Sequence, residues 1–171
     1  MAEKRLSELD AITTVQNTDL VELAQDNGLG GFVSKKITFG DLKSSIKTTS
    51  AITFTIGDGG SQIDVGTKGY IGSIPFNATI KSWRLFEVSA TPVSGSIVID
   101  IWKDVAGNYP PTVVNSIAGT EKPMLSNQTN NSDTNLTTWM TLSISSGDVV
   151  GFNVESNSGC KKVILILEVE K

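Results

Sequence analysis

From about Ser50 onward the chain alternates apolar and polar residues with a period of two, in short runs stopped by Gly, Asn, Ser, Asp and Pro. That period turns successive side chains to opposite faces, which is the pattern of strands rather than helices. The runs "AITFTIG", "KGYIGSIPF", "ATIKSWRLFEVSA", "GSIVIDIWKD", "TWMTLSI", "DVVGFNVES" and "KKVILILEVE" are the predicted strands. Short strands so punctuated, with hardly a helical stretch among them, predict a mainly β unit over 48–171, an antiparallel β-sandwich. One helical turn is expected in "PTVVNSIAG" (111–119), with Pro111 at its first position, where a missing N–H does no harm.

The same alternation tells which strands are covered. In "ATIKSWRLFEV", Ile80, Ser82, Arg84, Phe86 and Val88 share one side, and Thr79, Lys81, Trp83, Leu85 and Glu87 the other. Neither side is purely apolar. "SIVIDIW" and "VILILEV" instead carry aliphatic residues on both sides, as strands covered on both faces do. Another subunit packed on the outer face accounts for this, and so does a covering loop.

Residues 1–47 follow a different grammar. "DLVELAQ" (19–25) alternates as a half-buried strand, "NGLGG" (27–31) supplies residues suited to a hairpin turn, and "FVSKKITF" is the return strand. "TFGDLKSSIK" then predicts a short helix, capped by Thr38 or Asp41, with Leu42 and Ile46 four apart. This is a small α+β unit. It buries too little surface to stand alone, so it is expected to dock on copies of itself or on a larger assembly.

At 171 residues the chain is long enough to bury a core without staples. Its charge of -4 is spread along the sequence, with no basic block to meet phosphates, so nucleic acid is not an expected partner. Histidine is absent and Cys160 is the one cysteine, which removes intrachain disulfides, zinc-finger sites and His-based catalytic triads. The start "MAEKRLSELD" is charged and does not read as a secretory signal, and the longest apolar run, "VILILEV", is too short to span a bilayer. The expectation is a protein made in the cytoplasm, without membrane insertion.

Three tryptophans, Trp83, Trp102 and Trp139, stand out among few aromatics. Each fits a core or interface anchor, or a platform on which a sugar ring packs. Asn108 and Tyr109, in the loop before Pro110, and Asp104 at the preceding turn are expected at the surface. With Trp83 they form the candidate ligand-binding set. Glu87 and Asp100, on consecutive strands, are the carboxylates to weigh for glycoside hydrolysis, which needs two held about 5–10 Å apart. Without a nucleophile elbow or a phosphate loop beside them, no enzyme and no cofactor is predicted. "GDGGSQID", with Asp58 and Asp64, and "NQTNNSD" (127–133) are oxygen-rich, yet neither has calcium-loop spacing, so no metal is assigned. Lys161 and Lys162 beside Cys160 would favour its thiolate, but no base or second cysteine accompanies it, and a passive loop thiol is expected.

The opening segment, with its "L-S-E-L" start, "A-I-T-T-V" turn, "T-D-L-V-E-L-A-Q" strand and closing "K-K-I-T-F-G-D-L-K", resembles a segment recurrent at the start of tailed-bacteriophage virion proteins. The remainder is similar to a phage appendage domain in which Gly57–Gly60, "KGYIGSIPFNATIKSW" and "SIVIDIWKDVAGNYPPT" occur in that order. The resemblance implies a jelly-roll-like module, usually trimeric, placed distally on fibres or decorating capsids. The expected role is a head fibre or capsid decoration protein, with a tail fibre or receptor-binding protein for host surface glycan as the alternative. Expected partners are further copies of the chain, phage capsid or tail proteins and a host glycan, and the expected location is the virion. Attachment would fall to the apolar residues of the opening segment: Leu6, Leu9, Val21, Leu23, Phe32, Ile37, Phe39 and Leu42.

Overall fold

A computed structural model describes residues 16, 18, 20–26 and 32–171, and the chain divides into two compact units, Met1–Lys47 and Thr48–Lys171. In the first, β1 (Leu20–Asp26) pairs antiparallel with β2 (Phe32–Thr38), Leu20 opposite Thr38 and Asp26 opposite Phe32. The predicted turn at 27–31 lies outside the described residues. A short helix, α1 (Phe39–Ser45), follows at once. Thr38 is its cap: the Thr38 Oγ1 accepts from the Asp41 amide at 3.0 Å, meeting one of the donors a helix start leaves open. Asp41, the other capping candidate, sits in the first turn instead, and Ile46 is exposed past the last.

The second unit is mainly β and every strand pairing in it is antiparallel. Its strands are β3 (Thr49–Ile56), β4 (Gly66–Ile71), β5 (Ala78–Glu87), β6 (Gly95–Val105), β7 (Met124–Gln128), β8 (Asn130–Asp133), β9 (Ser143–Ile144), β10 (Asp148–Ser158) and β11 (Val163–Glu170). One sheet runs β3-β11-β5-β8, with β9 also on β5; the other runs β4-β10-β6-β7. The pairs are nested in sequence: β6 with β7, β5 with β8, β4 with β10, β3 with β11. The outermost pair is closed by backbone bonds in both directions between Thr48 and Lys171, at 3.1 and 2.9 Å.

Between the sheets lies one hydrophobic core. Ile52, Leu85, Leu165 and Leu167 enter it from the first sheet, and Ile97, Ile99, Ile101, Leu125, Phe152 and Val154 from the second. Phe54 stacks on Phe152 with centroids 4.1 Å apart, joining β3 to β10 across the gap. Each aliphatic side chain so buried contributes about 1.5–3 kcal/mol.

Three sequence expectations shift. "TWMTLSI" keeps strand pairing only at Ser143–Ile144, opposite Thr79 and Ala78, because Trp139 turns inward as a buried anchor, its indole N–H donating to the Glu121 carbonyl at 3.0 Å. Two strands with weak strand composition, "MLSNQ" and "NNSD", form where loops were expected. The helical turn after the two prolines is a 3-10 turn at Val113–Asn115, capped by Thr112 rather than begun at Pro111.

The doubly covered look of β6 is explained within the chain. Its inner positions Ile97, Ile99 and Ile101 are fully buried in the core, while Asp100 and Trp102 on the outer side are buried too. The covering element is the loop that follows: Pro111 lies over Gly151, the register partner of Trp102. The chain then returns alongside β6, bridged at Trp102 and Ser116, with the Ile117 amide donating to the Ile101 carbonyl at 2.9 Å. β11 differs: its inner side is fully buried and its outer residues, among them Ile164 and Ile166, are half-buried.

Candidate functional site

The outer side of β6 supplies the polar groups that hold this covering segment. Asp100 is fully buried, yet its Oδ1 accepts from the Ile101 amide at 2.9 Å and the Ser116 hydroxyl at 2.6 Å, and its Oδ2 from the Trp102 indole N–H at 2.9 Å. Lys122 approaches that oxygen to 3.4 Å and also binds Glu155. Burial opposes the Lys122 charge, but the Glu155 hydrogen bond and the Asp100 charge outweigh it and raise its pKa. A buried carboxylate with every lone pair engaged is a fastener, and removing one partner would strand the charge.

Beyond Trp102 the chain folds back over the sheet. Gly151 of β10 makes this possible: a Cβ there would stand 2.9 Å from the Tyr70 ring and 3.4 Å from Pro111. Tyr70 in turn meets Tyr109 edge to face at 5.3 Å. Tyr109 remains 59% exposed, beside exposed Val113 and Val114, and the Tyr109–Pro110 peptide is cis.

Asp104 braces this ledge from beneath. Its Oδ1 accepts from the Val105 amide at 2.7 Å and the Asn108 amide group at 3.1 Å, and its Oδ2 from the Asn115 amide group at 2.7 Å. These bonds, the Asn108 one foremost, lower its pKa. Asn115 also accepts from the Thr112 amide, closing the turn. Asp104, expected exposed at a turn, is instead half-buried within β6, where it holds Asn108, and Tyr109, the next residue, is left exposed. Tyr70 and Asn115 were missed: Tyr70 comes from β4, which nothing local links to the loop, whereas Asn115, three residues after Thr112, carried a local capping signal.

Trp83 stands apart from that set, on β5 of the other sheet. It is 3% exposed and faces the core, so its ring offers no open platform. Its indole N–H is the one buried side-chain polar atom without a partner among the described residues. Leaving a donor so costs about 1–3 kcal/mol. Trp83 also lines a cleft of about 350 Å³ at the β7–β8 edge, with Glu121, Lys122, Met124, Asn131 and Asp133.

The two carboxylates weighed for hydrolysis do not form a pair. Asp100 belongs to the β6 outer face, and Glu87 to the end of β5 in the other sheet. The Glu87 Oε2 accepts from the Ser89 hydroxyl at 3.0 Å and the Val93 amide at 3.3 Å, and its Oε1 from the amides of Lys161 and Lys162 at 3.3 and 3.4 Å. Desolvation would raise its pKa, and these hydrogen bonds together overcome it and hold the carboxyl below its ordinary range. Cys160 is likewise no surface thiol. It is buried, and burial together with the Glu87 charge pushes its pKa up to about 11, against the expected pull of the neighbouring lysines. Asp58 turns its Oδ1 to the amides of Gly60 and Ser61, at 2.8 and 3.3 Å, which organises the "GDGG" turn. Among the described residues no three His, Cys, Asp or Glu side chains gather in a metal-binding group.

Of the residues expected to attach the first unit, Val21, Ile37, Phe39 and Leu42 are half-buried. Leu23 and Phe32 are described in backbone only, and Leu6 and Leu9 lie outside the described residues. Among the described residues no helix is long and apolar enough to cross a membrane. No family model matches the chain, and neither a curated protein nor a solved structure matches it.

Proposed function

We propose that the chain is a structural subunit of a bacteriophage particle, a head fibre or capsid decoration protein, anchored by residues 1–47 and displaying residues 48–171. The strand order carries this reading. Nested pairs that divide into β3-β11-β5-β8 and β4-β10-β6-β7 are what a long antiparallel ribbon becomes when rolled into two sheets. That connectivity supports a jelly roll, an architecture used by viral capsid and lectin domains. The step from fold to particle is an analogy, made specific by the opening segment's resemblance to virion proteins. In this reading the first unit is an α+β adaptor, the assembly is a trimer, and modest contacts are multiplied by copy number into avidity.

The exposed Tyr109 ledge favours a second reading, a tail fibre or receptor-binding protein touching host glycan, because an aromatic ring with amides beside it suits a sugar face. Electron cryomicroscopy of the intact particle decides between them. Density for this fold on the capsid supports the first reading, density at the tail tip supports the second, and its absence from particles overturns both.

A further inference from the structure

From the Trp83 cleft we infer a second ligand site, one that takes a neutral, hydroxyl-rich molecule such as a hexose unit. It goes beyond the particle reading, since it concerns what the purified chain binds wherever the chain resides. The inference starts from the pattern of β8. Asn131 and Asp133 lie opposite Leu85 and Trp83 of β5, whose side chains enter the core, so the inner positions of this edge strand are polar where packing calls for apolar residues. Asn131 spans the gap between the sheets, its amide group donating to the Met124 carbonyl of β7 at 2.9 Å, and beside that bond the gap is left open. It opens as the cleft of about 350 Å³, within the size range of small-ligand sites.

The lining then selects the chemistry. Trp83 offers an N–H with no acceptor. Glu121 receives the Thr138 amide on Oε2, and Asp133 the Asn135 amide on Oδ1, so each carboxylate keeps its other oxygen without a bonded donor. An anion would satisfy the indole but meet two carboxylates, and the Lys122 ammonium, the cation in the lining, is already held by Asp100 and Glu155. A cation would satisfy the carboxylates but leave the indole as it is. A hydroxyl both accepts and donates, and a molecule carrying several serves all three groups at once. Trp83 acts here through its nitrogen rather than as a stacking face. That nitrogen is screened from solvent, so the lining yields on binding; Met124, unbranched and 40% exposed, is the side chain suited to give way.

The test uses the full chain labelled with nitrogen-15, following the indole N–H resonances while glucose, galactose, mannose and N-acetylglucosamine are added in turn, with glucuronate, glucosamine and inorganic phosphate as charged controls. At least one neutral sugar is expected to shift the Trp83 indole resonance saturably, and the charged probes to act more weakly. Trp83→Phe, which removes the donor and identifies its resonance, should weaken binding about five- to tenfold. Asp133→Asn, at the edge strand, should weaken it comparably without disturbing the core. The inference is overturned if no neutral sugar moves that resonance up to roughly 50 mM, well above a millimolar dissociation constant. It is equally overturned if binding is unchanged in Asp133→Asn, or if an ordered water alone holds the indole in a sugar-soaked crystal. A chain found on virions that ignores every sugar would keep its structural role and lose only this site.

Discussion

Among single residues, Glu87 shows how the second unit uses buried charge. Its two oxygens draw together the loop at Ser89–Val93, which crosses from one sheet to the other, and Lys161 and Lys162 just before β11. Because its folded pKa is lowered, the ionised form is favoured by folding. The stability it contributes is full above its ordinary value of 4.5 and is lost as pH falls through the lower folded value. Glu87→Gln places an amide donor among backbone donors and is expected to cost about 2–3 kcal/mol at pH 7. Urea unfolding of both proteins should show the difference shrinking below pH 4.5. A gap that stays constant to low pH would contradict the assignment. Glu87 was visible in sequence as a carboxylate in a strand, but two of its partners arrive from residues 74 and 75 positions away, which no local pattern reveals.

Elements were legible in proportion to how strongly packing dictates their composition. β6 and β11, central in their sheets, must be aliphatic, and both stood out. β7 and β8 are edge strands, paired on one side only, so Asn, Ser and Gln are tolerated there and the runs read as loops. The cover over β6 was open between a neighbouring subunit and a loop, because alternation reports that a face is covered and not by what. The ledge rests on one close approach, Gly151 under Tyr70 and Pro111. Gly151→Ala should push both rings outward, cost about 1–3 kcal/mol and alter the near-ultraviolet circular dichroism of the tyrosines. A loss below about 0.5 kcal/mol, ordinary for a surface change, would mean that the cover is not seated there.

For the whole molecule, the division at Lys47 and Thr48 carries a prediction of its own. The second unit has a single core, and its two ends are tied by the Thr48–Lys171 backbone bonds. A fragment of residues 48–171 should therefore fold alone and unfold in one cooperative transition, within a few degrees of the full chain's, by calorimetry. A broad or missing transition would show that the first unit is needed for folding. The nested strand order also sets a timetable. β11 is a central strand of its sheet and the partner of β3, yet it is synthesised after every other strand of that sheet. At about 5–20 residues per second, β3 waits on the order of ten seconds on the ribosome with its edge open and its isoleucines in water. For that interval the chain's safety depends on the threonines that alternate through "TSAITFTI", and on whatever in the cell attends a strand whose partner does not yet exist.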